Sequence, residues 1–111
     1  MNTYIPSNSN PWDSDKIQFV CRRLGFGCSL SDINKYSNYT PEQTIEDIVE
    51  NAKLTDFTAA PDWADWDNKT FNSSGNNKAY YHTILQKQAL SDMINNGFRE
   101  RLSLFWSNHF V

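Results

Sequence analysis

The histidines are the first residues of this chain to consider for chemistry, and there are two of them, His82 and His109. Neither has a His, Cys or Glu three or four residues away, where two side chains of one helix would bind a metal together. A core or half-buried histidine with one hydrogen bond is the main interpretation of His109, and a metal or catalytic role is the alternative. The sequence therefore predicts no metal site and no cofactor.

Arg23 and Glu100 are the other candidates for a site. Arg22 and Arg23 are adjacent, so their side chains point about 100° apart on a helix and cannot clamp one ligand together. By default the two arginines form a solvated helix end. The second interpretation is an ion pair between one of them and a carboxylate such as Glu100. Glu100 and His109 are nine residues apart, which is about 180° around a helix, so they share a pocket only if the helix breaks between them. An enzyme remains an alternative, with a hydrolase-like or metal-assisted site in which Arg23, Glu100 and His109 are completed by downstream residues.

The two cysteines, Cys21 and Cys28, are seven residues apart with a glycine turn between them. Cys21 lies on an apolar helical stripe and is predicted to be a small core residue. A disulfide is conceivable but needs an oxidising compartment, so the redox state stays open. Because neither thiol has a visible histidine partner, a cysteine nucleophile is not expected.

Aromatic side chains cluster around a polar stretch in the middle of the chain: Trp63, Trp66, Phe71, Tyr80 and Tyr81. Exposed, they would stack on a glycan or bind a protein; buried, they would anchor a loop on the core. Their exposure distinguishes a binding surface from a packing role.

Helical periodicity and capping signals predict an all-α fold, with several short-to-medium helices packed as pairs around an aromatic-rich core. Ser29 and Thr40 are predicted N-caps of capping boxes, and Leu30 and Ile33 are expected to face inward from the helix after Ser29. The Asn96-Gly97 pair is predicted to end a helix. The predicted segments are an irregular arm at 1–13, a helical region at 14–111 with helices near 14–24, 41–52, 80–95 and 98–109, and one long irregular loop at 55–79.

Composition narrows the class of protein. The chain has 111 residues, 14% aromatic content and a formal net charge of −3, so a nucleic-acid binder with a basic face is not expected. No apolar run is long enough to span a membrane, and the first ten residues lack the features of a signal peptide. The default expectation is a cytoplasmic protein.

Two segments have specific residue patterns that helical periodicity alone does not explain. Residues 19–27 run Phe-Val-Cys-Arg-Arg-Leu-Gly-Phe-Gly, and residues 98–110 run Phe-Arg-Glu-Arg-Leu-Ser-Leu-Phe-Trp-Ser-Asn-His-Phe. The chain resembles the start of the bacterial domain-of-unknown-function family 1800. Members of that family have an Arg-Arg-x-Gly-Phe-Gly pattern at the end of a helix and a Leu-Phe-Trp-His-x-His-Phe pattern downstream. The resemblance covers about residues 12–111, and Ser107 stands where the family often has a histidine.

The resemblance implies a largely helical fold and no established reaction. Family domains are several times longer than this chain, so we expect an N-terminal fragment with a structural role that packs against the remainder of its own full-length chain. A second copy of the chain is the other predicted partner, because an exposed apolar stripe on the last helix favours self-association. Many members of the family look exported, so the resemblance implies export as the alternative to the cytoplasmic default.

Overall fold

The computed structural model describes residues 4–110, and within them the fold is all-α. The helices are α1 Ser14–Leu24, α2 Leu30–Tyr36, α3 Pro41–Leu54, α4 Asn68–Ser73 and α5 Lys78–Phe110. Extended pairing in these residues is limited to one isolated antiparallel bridge between Ser7 and Asn10. The predicted fold class is confirmed. Residues 1–3 of the predicted arm and Val111 of the predicted helical region lie outside the described residues.

Side-chain caps define the starts of the first three helices. The Asp13 carboxylate accepts a hydrogen bond from the backbone N–H of Lys16 at 3.1 Å. Complete capping boxes join Ser29 to Asp32 and Thr40 to Gln43, as the sequence predicts. Because each such cap satisfies an otherwise unpaired N–H, it stabilises its helix by about 1 kcal/mol. These local signals explain why the predicted helix starts agree with the structure.

A small core lies between α1, α2 and α3. Ile17, Cys21 and Tyr36 are buried there, and Trp12 is among the partly buried side chains packed around them. Trp12 also donates from Nε1 to the carbonyl of Tyr36 at 3.1 Å, which fastens the N-terminal arm to the core.

The predicted inward orientation of Leu30 is wrong, since Leu30 is 74% exposed. Tyr36 is buried and Ile33 packs on the core, so these two residues set the inner face of α2. Successive steps of three residues drift by about 60° around a helix, which turns Leu30 about 120° away from Tyr36. An inward face that includes both Leu30 and Tyr36 is therefore too wide for this helix of seven residues.

Gly97 interrupts α5. Its φ of 40° and ψ of −104° are not helical, so the chain forms one helical segment over residues 78–96 and another over residues 98–110. The predicted break at Asn96-Gly97 and the two helices beside it are confirmed. A glycine occupies this position because other residues rarely adopt a positive φ.

The second segment of α5 extends away from the body, and all side chains over residues 101–110 are exposed. The molecule is accordingly elongated, with extents of 65 × 28 × 22 Å and a radius of gyration of 19.0 Å. A compact domain of this length would have a radius of gyration of about 13 Å. The protruding helix therefore has few neighbours along most of its length.

Within the predicted irregular segment 55–79 the structure adds the short helix α4. The Asp67 carboxylate caps it by accepting from the backbone N–H of Thr70 at 2.8 Å. Six residues are too few to show a helical period, so the sequence pattern gave no signal for this helix.

Candidate functional site

The predicted site residues are not gathered into one pocket. Arg23 is exposed, and its guanidinium lies 5.1 Å from the ring centre of Phe19. Glu100 is half-buried in the first turns after Gly97, and His109 is exposed near the end of the same segment. Among residues 4–110 no ion pair involves Arg23 or Glu100.

Glu100 and His109 lie on one uninterrupted helical segment, because the break at Gly97 precedes both. Nine residues of helix separate them by about 13 Å along the axis and by about half a turn around it. His109 instead stacks beside Phe105, with ring centres 4.9 Å apart. The geometry does not place the carboxylate and the imidazole around one substrate atom.

The two segments that carry the family resemblance meet where α1 ends and α5 breaks. A Cβ atom added to Gly25 would lie 3.7 Å from the Cα of Gly97 and 3.2 Å from the carbonyl oxygen of Cys21. The guanidinium of Arg101 lies 5.6 Å from the ring centre of Phe26. Residues more than 70 positions apart in sequence therefore form one junction between the Gly25–Gly27 turn and the kink of α5.

A cavity of about 200 Å³ lies beside this junction and is the main concave feature near the two motifs. Its wall combines the end of α1, the turn before α2, part of α2, one side of α3 and the kink of α5. The polar or thiol-bearing side chains in that wall are Cys21, Cys28, Asp32, Tyr36, Asn51, Thr55, Asn95 and Asn96. The candidate functional site is this cavity, which we call the kink cavity.

Two groups that line the kink cavity, the thiol of Cys21 and the phenol of Tyr36, have raised pKa values. Burial, with the neighbouring Cys28 side chain, raises the pKa of the Cys21 thiol to about 12. Burial and the hydrogen bond to Asp47 raise the pKa of Tyr36 well above its usual value. A protonated thiol and a neutral phenol are poor nucleophiles at neutral pH, so this geometry does not indicate covalent catalysis by either group.

The carboxylate of Asp47 binds the hydroxyl group of Tyr36. Its Oδ2 accepts from Lys35 Nζ at 2.6 Å, from the hydroxyl of Tyr36 at 3.1 Å and from Asn51 Nδ2 at 3.0 Å. The hydrogen bond from Lys35, followed by that from Tyr36, holds the pKa of Asp47 below its usual value. The contacts of Asp47 on α3 with Lys35 and Tyr36 on α2 could not be predicted from sequence, because no spacing pattern links residues on two different helices.

Among the residues that the structure describes, no three His, Cys, Asp or Glu side chains come together to hold a metal ion. His82 and His109 are both exposed. No helix in the described part of the chain is long and apolar enough to cross a membrane.

The loop aromatics form a cluster of their own. Trp63, Trp66 and Phe71 are half-buried and pack around the buried ring of Tyr81. Their ring centres lie 5.4, 5.9 and 5.2 Å from that of Tyr81. Only Tyr80, at 50% exposed, turns largely to solvent. This arrangement has the edge-to-face contacts of a packed core and offers no open aromatic platform.

The fold and the junction define a small helical unit organised around a glycine turn and a kinked helix. The family model described as "Protein of unknown function (DUF1800)" matches residues 19–111, and the chain belongs to that family. Both segments that suggested the resemblance lie within the matched residues. No curated protein and no solved structure matched the chain in the comparisons.

Proposed function

We propose that this chain is a structural module of a larger helical domain, and that the aromatic face of the second α5 segment packs against the remainder of its own longer chain. The supporting observation is the exposure of that face. Phe105 is 52% exposed, Trp106 51% and Phe110 79%.

Leaving those rings in water costs free energy. Burying one such side chain contributes about 1.5–3 kcal/mol, and a whole small domain is stable by only about 5–15 kcal/mol. The described residues leave the face uncovered, and the family resemblance implies domains several times longer than 111 residues. Downstream sequence of the same chain is therefore the occupant that we propose, rather than a second copy.

The test compares the 111-residue chain with the longer chain that contains it. In the longer chain, Phe110→Ser should lower the free energy of unfolding by about 1.5–3 kcal/mol, because a covered ring would be lost. Phe57→Ser is the matched control, since Phe57 is 89% exposed and lies outside the aromatic face. The guanidinium of Arg99 lies 4.1 Å from the ring centre of Phe57, a cation–π contact worth about 0.5–1 kcal/mol at an exposed site, so Phe57→Ser should cost no more than about 1 kcal/mol.

Two outcomes would contradict the proposal. A loss of stability in Phe110→Ser no larger than that in Phe57→Ser, measured in the longer chain, would mean that the chain does not cover its own face. A tight dimer of the longer chain, dissociated by Phe110→Ser in sedimentation, would assign the face to a second copy.

The other two functions have less support from the geometry. A hydrolase-like or metal-assisted site would need Glu100 and His109 to converge, and they lie on opposite sides of one helical segment. A glycan- or protein-binding surface would need exposed loop aromatics, and most of these rings pack on Tyr81.

A further inference from the structure

Cys21 and Cys28 lie next to each other in the fold. Both line the kink cavity, and Cys28 packs against the core cluster that contains Cys21. The turn at Gly25 and Gly27 produces this arrangement by reversing the chain after α1. Gly27 has a φ of 141°, a backbone conformation that residues other than glycine rarely adopt.

The two thiols differ in access. Both are free, but Cys21 is 5% exposed and Cys28 is half-buried. Burial and the neighbouring Cys28 raise the pKa of Cys21 to about 12, so its thiol is protonated in neutral solution. A reagent from solvent therefore meets Cys28 first.

We propose that Cys21 and Cys28 form a dithiol pair that exchanges with an external disulfide of the glutathione or protein type, and that oxidation links the end of α1 to the turn before α2. The thiolate of Cys28 attacks one sulfur of the external disulfide, which forms a mixed disulfide and releases one thiolate. Cys21 then gives up its proton to solvent and its sulfur attacks the Cys28 sulfur, which releases the second thiolate. Two protein thiols are oxidised, and one external disulfide is reduced to two thiols.

The link closes a loop of eight residues along one wall of the kink cavity, from position 21 to position 28. It restrains the turn in which Gly25 packs on Gly97. A cross-link stabilises the folded state mainly by restricting the unfolded chain. Oxidation should accordingly raise the urea concentration at the unfolding midpoint.

The experiment treats the folded chain with oxidised glutathione, stops the reaction with acid and measures the mass. The linked chain should be lighter than the reduced chain by about 2 Da, the mass of two hydrogens. Trypsin cuts after Lys16, Arg22, Arg23 and Lys35, so the link should join peptide 17–22 to peptide 24–35. The joined pair should separate on reduction.

Two serine variants separate the steps. Cys21→Ser should stop at the mixed disulfide of Cys28 with glutathione, because the attacking sulfur is missing. Cys28→Ser should react at least about tenfold more slowly than the wild type, because Cys21 is buried. Comparable rates in the two variants would refute the order of attack and with it the assigned pair.

A comparison in denaturant separates the effect of the fold from the effect of sequence spacing. Any two cysteines seven residues apart can link in an unfolded chain, so the equilibrium between the reduced and the linked chain in guanidinium chloride is the baseline. In glutathione buffers the link should persist at conditions at least about tenfold more reducing in the folded chain, because the fold raises the effective concentration of the thiols. Equal equilibria, a persistent mixed disulfide on the wild type, or covalent dimers in place of the internal link would overturn the proposal.

Discussion

Replacing Asp47 with alanine is the sharpest perturbation of the fold that the structure offers. Three donors converge on one carboxylate oxygen, and one of them is the hydroxyl of the buried Tyr36. The side chain of Asp47 is 25% exposed and that of Lys35 is 40% exposed, so solvent screens the ion pair and reduces its contribution to well under that of a buried pair. The main cost should instead come from leaving the hydroxyl of Tyr36 without its acceptor, which is about 1–3 kcal/mol.

We therefore expect Asp47→Ala to lower the free energy of unfolding by about 2 kcal/mol. Glu50→Ala is the matched control, because Lys53 and Glu50 also lie 2.6 Å apart on α3 but are 64% and 61% exposed. That pair should be worth less than about 0.5 kcal/mol. Urea unfolding followed by far-ultraviolet circular dichroism measures both variants.

A double variant tests the assigned cause. If the cost arises from the unpaired hydroxyl, adding Tyr36→Phe to Asp47→Ala should restore part of the lost stability, because the buried polar group is then removed. Equal losses in Asp47→Ala and Glu50→Ala, or a further loss on adding Tyr36→Phe, would refute this explanation.

The same cluster predicts a pH dependence with a definite sign. The pKa of Asp47 is lowered in the folded state, mainly by the hydrogen bond from Lys35. Its contribution is therefore complete above the unfolded-state pKa of about 3.9 and is lost as the pH falls through the lower folded-state pKa. The pKa of Lys35 is raised, mainly by Asp47, so its contribution is complete below about pH 10.4 and is lost as the pH rises further. The stability difference between wild type and Asp47→Ala should be flat between these limits.

Three further predictions test other parts of the fold. Tyr81→Ala should cost about 2–4 kcal/mol because the loop aromatics pack on it, whereas Tyr80→Ala should cost less than about 1 kcal/mol; equal losses in urea unfolding would contradict the cluster. Gly97→Ala should destabilise by about 1 kcal/mol because it forces a side chain into a positive φ, and a gain in stability would indicate that the helix runs straight through this residue. His109→Ala should leave the metal content of the purified protein unchanged, and stoichiometric zinc or iron lost in the variant would show that His109 is a ligand after all.

The features that could be predicted from sequence depend on neighbours close in the chain. Ser29 and Thr40 start their helices through side chains three residues away, and Gly97 breaks α5 through its own backbone. Each signal is complete within one helical turn, so a single sequence contains all of it. The orientation of Leu30 was predicted wrongly for the opposite reason, because the hydrophobic stripe does not show which part of α2 meets α1.

The contacts around the kink cavity could not be predicted in the same way. Asp47 meets Lys35 and Tyr36 across two helices, and no spacing rule links these positions. Gly25 meets Gly97 only because α1 and α5 cross at that place. Such contacts depend on how helices are arranged, and hydrophobic periodicity describes only which face of each helix is buried.

The junction at Gly25 also gives a packing reason for three residues of the two segments that carry the family resemblance, Gly25, Phe26 and Arg101. A Cβ atom on Gly25 would lie 3.2 Å from the carbonyl oxygen of Cys21, which is closer than ordinary van der Waals contact, and the neighbouring Gly97 has a backbone that favours glycine. The guanidinium of Arg101 lies over the ring of Phe26, a cation–π contact worth about 0.5–1 kcal/mol at an exposed site. In this chain Gly25, Phe26 and Arg101 therefore join the end of α1 to α5 at one point.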